Sequence, residues 1–541
     1  MPDPSLSPPP TAAPGSRTPP LVYRLLRFIF RLSLHAFYNT IVVRHQEHLP
    51  PDGIPTILCP NHSNSLTDGV LMVTSAPRQR SMVRMTAKDT LWDHWIFGWF
   101  IRSVGTVPLQ RRQDHAGQTD NTQSVSKIIK ALTNGDCVCI FPEGISRYHA
   151  SLAPVRRGVA TMALSALEEL VIRARETHQP EEEVKVCIIP CGVTYLHRHR
   201  FRSSLLVDYG EPIVLKASQV AEMDNPKDMI TDRLVRSLRR ITLDAPDWET
   251  VRTAKMARAL YSPPDIRVSL GTHVDMTRLF LDAFAPVARD ESAHSPSPSS
   301  SSSPLPCILP SEELCALRDD LLDYQHALKG AGINDGVVGR QSAWFPGRRA
   351  MQGQMIIRAL MTLFFLILSL PGLCVLSPML ILTKAKERKV LARPGAEEQN
   401  LDEVAQYKMI IALVTLVPIW AIFLYLTGPY SILTALAVPA WWWLSIRWCE
   451  DGMASARAFH TLGRLLTLDP LVLKAMRERR EALRLRVLSL SSLLGLPEDP
   501  RTLVDETRSG PWARLQWFDV RGRRIRDWEE VLRPFDLEED M

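Results

Sequence analysis

Apolar positions along this chain fall into three kinds of pattern. Short runs rich in β-branched residues, bounded by proline, glycine and polar residues, occur at 54–59, 137–140, 186–190 and 205–213. Such runs read as strands, the first three buried and the last interrupted by a turn at Gly210-Glu211-Pro212. Residues 69–73 open an apolar helix, and from about 46 to 250 the strands alternate with helical segments. That alternation predicts an α/β domain.

The second pattern is amphipathic. In 21–43, Arg24, Arg27, Arg31 and His35 recur at i, i+3, i+7 and i+11, one stripe of a helix, with Leu25, Leu26, Phe28, Phe30 and Leu32 over the remainder. Three arginines are costly in hydrocarbon. The pattern therefore predicts a helix over 21–45 lying in the plane of a membrane, arginines toward headgroups, with packing on the α/β domain as the alternative. Residues 471–494 form a second such stretch, rich in arginine (Arg477, Arg479, Arg480, Arg484, Arg486). It suits either an anionic membrane surface or a solvated face.

The third pattern is charge-free. Residues 359–383 and 409–446 contain no Asp, Glu, Lys or Arg. Since about 20 apolar helical residues cross a ~30 Å hydrocarbon layer, the first stretch allows one crossing and the second two short ones. Pro371-Gly372 inside the first implies a kinked span or a re-entrant loop. Gly428-Pro429 inside the second implies a helical hairpin, with Trp441, Trp442 and Trp443 at interface level. Basic residues flank both (Arg348, Arg349, Arg358, Lys384, Lys386, Arg388, Lys389, Arg447), which favours an even number of crossings in each.

The divisions that follow are 1–20, Pro-rich and disordered by composition; 21–45; an α/β domain at 46–250; a helical extension at 251–290; a Ser/Pro-rich linker at 291–310; a helical segment at 311–358; a membrane region at 359–446; and a soluble helical tail at 447–541. A chain of 541 residues suits several such units. Its net charge of +6 is small for that length and gives no support to nucleic-acid binding. The N-terminus lacks the charged-then-apolar layout of a signal peptide. Nine cysteines lack a paired CxxC spacing, several sit in apolar strands, and they read as free buried thiols in a reducing compartment.

Candidate chemistry begins at Cys59-Pro60-Asn61-His62-Ser63-Asn64-Ser65-Leu66-Thr67-Asp68-Gly69, a strand-to-helix turn. In a continuous helix His62 and Asp68 would lie about 240° apart and never meet. Across a turn the backbone can fold back, so that Asp68 accepts from one imidazole nitrogen and the other acts as a general base. The alternative is a loop histidine beside a capping aspartate. No Ser or Cys stands in a nucleophile-elbow context. His197 and His199, among Arg198, Arg200 and Arg202, lack a carboxylate or thiol to complete a metal site and read as a basic loop suited to phosphate. Trp92 to Phe100 is an aromatic helical segment, either core or an apolar wall for an acyl chain.

Three further blocks follow in order: Gly105-Thr106-Val107-Pro108-Leu109-Gln110-Arg111, Phe141-Pro142-Glu143-Gly144-Ile145-Ser146-Arg147, and Val186-Cys187-Ile188-Ile189-Pro190. With the His-Asp turn they resemble the four blocks of the glycerolipid (PlsC-like) acyltransferase superfamily. Five residues separate His62 from Asp68, where the common form has four. With Asn64 two residues after the histidine, this resembles the branch of fungal glycerol-3-phosphate/dihydroxyacetone-phosphate acyltransferases. So do Tyr195, Phe201-Arg202-Ser203, Gly210-Glu211-Pro212-Ile213 and Ala245-Pro246-Asp247-Trp248-Glu249-Thr250. Ser146-Arg147 departs from the usual third block.

The resemblance implies a mixed sheet flanked by helices, followed by a helical transmembrane region and a helical tail. It implies His62 and Asp68 as the catalytic pair, and Arg111, Glu143, Gly144, Ser146, Arg156 and Pro190 as the substrate-binding set. Arg111 suits phosphate because a guanidinium gives two parallel hydrogen bonds to an oxyanion. Arg156, at a helix start, would be a second phosphate contact. Glu143 would steer substrate, hold the arginines or form a structural ion pair. Acyl-CoA is implied as a substrate, with no metal or other cofactor, and glycerol 3-phosphate or dihydroxyacetone phosphate as acceptor. Membrane lipid is the remaining partner, in a multi-pass protein of the endoplasmic reticulum with its site toward the cytosol. A lysophosphatidate acyltransferase and a non-catalytic lipid-binding scaffold are the competing readings.

Overall fold

The computed structural model describes residues 19–38, 40–89, 105–109, 121–147, 149–196, 203–262, 268–292, 311–344, 347–392 and 401–503. They divide into two compact units, one running to Asp244 with Lys386–Ile410, the other Ala245–Ala385 with Ile411 onward.

The first unit is built on eight strands: β1 (Thr40–Arg44), β2 (Thr56–Pro60), β3 (Val83–Lys88), β4 (Val107–Leu109), β5 (Cys137–Cys139), β6 (Lys185–Tyr195), β7 (Ser204–Tyr209) and β8 (Ile213–Lys216). Their order is β1-β7-β6-β2-β5-β3-β4, with β8 also on β6. β2, β3, β4, β5 and β6 run parallel, while β7 and β8 are antiparallel to β6. The sheet is therefore mixed. β8 pairs the first half of β6 and β7 the second half, so the longest strand carries two partners on one edge and β2 on the other.

Central parallel strands are covered on both faces, which is why β2 and β5 are buried throughout and read as unbroken apolar runs. Cys59, Cys137, Cys139, Cys187 and Cys191 are free thiols on β2, β5 and β6. Burial pushes all five above the usual thiol range, Cys137 and Cys187 to about 11.

Helices α1 (Leu21–Phe37), α2 (Ser65–Ser75), α3 (Thr122–Thr133), α4 (Gly158–Glu176), α5 (Ala217–Ala221) and α6 (Pro226–Ile241) complete the unit. α1 corrects the expectation for 21–45. It ends at Phe37, and residues 40–44 are a strand of the sheet. Two of its arginines reach the end of α2: Arg27 Nη2 donates to Ala76 O (2.6 Å) and the largely exposed Arg31 through Nη2 to Thr74 O (3.4 Å), supplying donors to orphan carbonyls, while Arg24 is exposed. Tyr23, Leu34 and Phe37 are buried on that side. Leu21, Leu25, Phe28 and Leu32, at i, i+4, i+7 and i+11, are each more than half exposed on the opposite side. The apolar stripe faces outward, flanked by the exposed Arg24, Arg31 and His35.

The second unit is helical: α7 (Trp248–Tyr261), α8 (Leu270–Ser292), α9 (Ser311–Ala331), α10 (Asp335–Trp344), α11 (Arg348–Leu391), α12 (Leu401–Thr427), α13 (Ser431–Thr467) and α14 (Pro470–Leu493), with the ends of α11 and α12 falling in the first. Asp247 caps α7 by accepting from Thr250 N at 2.7 Å. A buried ion pair ties α10 to α14: Arg480 Nε and Nη2 reach Asp335 Oδ1 and Oδ2 at 2.8 and 3.0 Å. Two further arginines of α14 find carboxylates on another helix, Arg479 at Asp323 and Arg486 at Asp320, so these turn to protein rather than to lipid or water alone, while Arg484 pairs with Glu481 of its own helix.

α11 is continuous for 44 residues and contains Pro371 and Pro378, so the first charge-free stretch is a helix and not a re-entrant loop. A continuous helix there has the length for one crossing, where the flanking charges predict an even number. Gly372 lets α11 pass so close to α13 that a Cβ there would collide with the Ser445 hydroxyl, and Gly452 meets Phe365 and Leu366. Small residues at such crossings allow helix backbones to approach. The second stretch is a hairpin. Phe423 and Trp442 would stand about 28 Å apart in a straight helix, yet their ring centroids are 6.4 Å apart. Arg348–Val390 and Ile410–Thr427 are each long and apolar enough to cross a bilayer. Helix α13 carries on unbroken to Thr467, so no boundary falls at 447. The linker at 293–310 and the tail from 504 lie outside the described residues.

Candidate active site

Because β2, β3, β4, β5 and β6 are parallel, their carboxyl ends leave the sheet on one side, where α/β folds place ligands. His62 follows β2, Glu143 follows β5, and Tyr195 ends β6.

The turn after β2 is not helical until Ser65, which starts α2 at φ 46. That left-handed step takes up the fifth residue between His62 and Asp68, and returns Asp68 toward the turn. His62 Nδ1 lies 2.9 Å from Asp68 Oδ2. The same oxygen accepts from Ser63 N at 2.9 Å and Asn64 N at 2.7 Å. Asp68 reaches back to its own helix start as the acid of a capping box does. Its side chain is fully buried, and that of His62 is 7% exposed. The imidazole stacks on Phe141, centroids 3.9 Å apart. With Nδ1 facing the carboxylate, Nε2 is the nitrogen left for a substrate proton. Among the described residues nothing is bonded to it.

Among the described residues Glu143 pairs with no arginine. Its Oε1 accepts from His62 N (2.8 Å) and its Oε2 from Ala153 N (3.2 Å). Burial holds the carboxyl above the usual glutamate range, against the pull of those hydrogen bonds. Ser146 Oγ accepts from Ser65 N at 3.0 Å, fixing the left-handed residue. Arg147 N donates to His62 O at 3.2 Å. The third block thus holds the histidine turn at three points.

Gly144 has φ 73, and a Cβ there would press on the guanidinium of Arg156 at 3.2 Å. Arg156 is exposed just ahead of α4, and its backbone N donates to Pro142 O. Pro190 sits in β6 in register with Cys59, and its carbonyl accepts from Gly210 N. Arg111 lies outside the described residues, as do Trp92 to Phe100, His94, His115, His197 and His199. Leu109, two residues earlier, ends β4, three strands from β2 in sheet order. At ~4.8 Å per strand that is about 14 Å. Among the described residues no group of His, Cys, Asp and Glu is placed to hold a metal.

Two contributors lie outside the expected site residues, Asn61 within the first block and Tyr195 beyond the fourth. Asn61 uses its amide as a stand-in for backbone, donating to Val193 O (3.1 Å) and accepting from Val193 N (2.7 Å). Tyr195 donates its hydroxyl to Asp68 Oδ1 at 2.5 Å. Asn61 carried a signal, a polar residue directly after a buried strand. Tyr195 carried none beyond its branch resemblance.

Comparison with known proteins agrees with this geometry. Residues 40–194 match the family model described as Acyltransferase. Residues 310–497 match the model described as Glycerol-3-phosphate acyltransferase 2 C-terminal domain. Glycerol-3-phosphate O-acyltransferase 2 of Saccharomyces cerevisiae is 26% identical over 522 residues, 76% of this chain and 65% of that protein. Glycerol-3-phosphate O-acyltransferase 1 of the same yeast is 25% identical over 310 residues, 55% and 36%. The chain therefore spans just under two thirds of the first relative and about a third of the second. The crystal structure of the 1-acyl-sn-glycerophosphate (LPA) acyltransferase PlsC from Thermotoga maritima matches 40% of this chain and 78% of that one, at 16% identity and a TM-score of 0.29.

Proposed function

We propose that this chain is a membrane-embedded, acyl-CoA-dependent O-acyltransferase. It moves a fatty acyl group to the sn-1 hydroxyl of glycerol 3-phosphate, with dihydroxyacetone phosphate as the related acceptor. The observation that carries the reading is the 2.9 Å contact of His62 Nδ1 with buried Asp68. An alcohol is a poor nucleophile until its proton leaves, so Nε2 takes that proton as the oxygen attacks the thioester carbonyl carbon. Asp68 holds the imidazole in orientation and stabilises its charged form. The C–S bond then breaks, coenzyme A leaves as thiolate and takes the proton from His62, and an oxygen ester remains. Arg111 and Arg156 are assigned to the acceptor's phosphate. No metal enters these steps, and acyl-CoA is a substrate rather than a cofactor.

The yeast relatives' names and the C-terminal domain favour glycerol 3-phosphate as acceptor. Exposed Ile356, Leu360, Leu363, Phe364, Ile367 and Leu370 on α11 favour a bilayer around it, and the exposed stripe of α1 suits the same surface. We assign it to the endoplasmic reticulum membrane, site toward the cytosol.

The test is product analysis. Membranes carrying the full chain are supplied with acyl-CoAs of several lengths and, in turn, glycerol 3-phosphate, dihydroxyacetone phosphate and lysophosphatidate. Acylation of either of the first two is expected. Acylation of lysophosphatidate alone would move the chain to the second acyl transfer. No product from any pair, with lipid binding retained, would make it a scaffold.

A further inference from the structure

The four blocks do not include the residue that fixes the far side of the catalytic carboxylate. Asp68 Oδ2 is crowded, taking His62 Nδ1 and two backbone amides. Oδ1 takes the Tyr195 hydroxyl at 2.5 Å, and among the described residues it has no other donor. We propose that Tyr195 is a positioning residue for acyl transfer: its hydroxyl locks the rotation of the Asp68 carboxylate and through it the imidazole of His62. The inference rests on the acyltransferase reading above.

The placement of Tyr195 is over-determined. β2 ends at Pro60, paired with Cys191, so the last four residues of β6 overhang their neighbour. Asn61 extends the ladder with its side-chain amide, gripping both backbone groups of Val193 two residues before Tyr195. On the other side β7 pairs Tyr195 with Leu205. The Tyr195 ring rests against Tyr38, centroids 5.9 Å apart. Tyr38 in turn accepts from Asn64 Nδ2 at 3.2 Å, and Asn64 N donates to Asp68. The contacts close a circuit: Tyr195, Asp68, Asn64, Tyr38 and back. A phenol held at its backbone, ring and hydroxyl is a rigid donor, and a hydrogen bond to a carboxylate is among the stronger kinds.

A carboxylate with one oxygen bonded can pivot about its Cβ–Cγ bond, while one held at both oxygens cannot. Removing the hydroxyl has two consequences for His62. Its orientation loosens, which slows proton removal from the acceptor. The charge of Asp68 is also less dispersed and draws the Nδ1 proton more strongly, which makes the imidazole harder to deprotonate.

Tyr195→Phe in the full chain in membranes tests this, since it keeps the ring against Tyr38. The expected result is a kcat lower by about tenfold, unchanged KM for acyl-CoA and acceptor, and an acidic limb of kcat/KM moved up by about half a pH unit. Tyr209→Phe is the control. It strips another buried hydroxyl, bonded to Ser75 Oγ at 2.8 Å, from the same sheet without touching the pair. Its pH profile is expected to match the wild type. The inference is overturned if Tyr195→Phe keeps the wild-type rate and limb, or if both variants slow alike with unmoved limbs. A wild-type protein that acylates no acceptor sinks the functional reading instead, so the two failures are told apart.

Discussion

Two buried aspartates, one in each unit, have nearly the same surroundings and opposite capacities. Asp68 and Asp335 are both shielded from water, and each accepts a tyrosine hydroxyl: Tyr195 at 2.5 Å, Tyr324 at 2.9 Å. They differ in the cation partner. Asp335 faces Arg480, which gives two parallel hydrogen bonds and cannot lose its proton in the working pH range. Gly339 leaves room for that guanidinium, since a Cβ there would stand 2.9 Å from its central carbon. Burial and then the charge of Asp335 hold Tyr324 well above the usual phenol range, so it stays a donor. The cluster is saturated and can only hold helices together. Asp68 faces an imidazole, which spends one nitrogen on the carboxylate and keeps the other. The same buried carboxylate is a clamp with arginine and half of a base with histidine.

The comparison can be broken at either end. The largest effect is expected at the functional end: His62→Ala should lower the acyl-transfer rate by roughly 10²–10⁴-fold while acyl-CoA still binds. Retained rate would mean the pair is only another clamp. Asp335→Ala should leave Arg480 buried and unpaired and cost about 3–5 kcal/mol in unfolding free energy. Asp335→Leu with Arg480→Met should recover most of that loss, because an apolar pair needs no compensation. If Asp335→Ala stops chemistry at undiminished stability, the cluster is not the inert partner described here.

A smaller effect concerns Glu143, a third buried carboxylate, whose donors among the described residues are backbone amides. Its carboxyl is raised, chiefly by burial, so the folded protein keeps this proton at pH values where the unfolded chain has released it. Stability from this group is therefore present below the ordinary glutamate range and declines as pH rises through the raised value. Unfolding midpoints of wild type relative to Glu143→Gln should fall between about pH 4 and 7. A flat difference would mean the carboxylate is fully compensated by His62 N and Ala153 N.

The sequence made the His62–Asp68 pair legible because a spacing that fails in a helix can succeed across a turn. It could not show Ser65 at positive φ, the step that absorbs the extra residue. For Glu143 it suggested side-chain partners, and the structure shows amides. Backbone donors are the same in every residue, so nothing in the spelling of the chain marks them. Tyr195 lies 127 residues from Asp68, and only the order of β6 beside β2 brings them together. For α1 the periodicity was right, its end came earlier than expected, and the partners of Arg27 and Arg31 could not be read. A stripe of arginines has no sign until a neighbour is known, and here the neighbour is the carbonyl end of α2. The α/β alternation and the long apolar helices were readable because burial on both faces, or a charge-free run, leaves a pattern in composition, whereas the mixed strand directions came only from the family resemblance.

The five thiols of β2, β5 and β6 have a practical consequence. Each is shut in the sheet and held in its unreactive protonated form, so an alkylating reagent at neutral pH must wait for the strands to part. Labelling at these positions then works as an internal clock, timing how often the centre of the catalytic unit comes open.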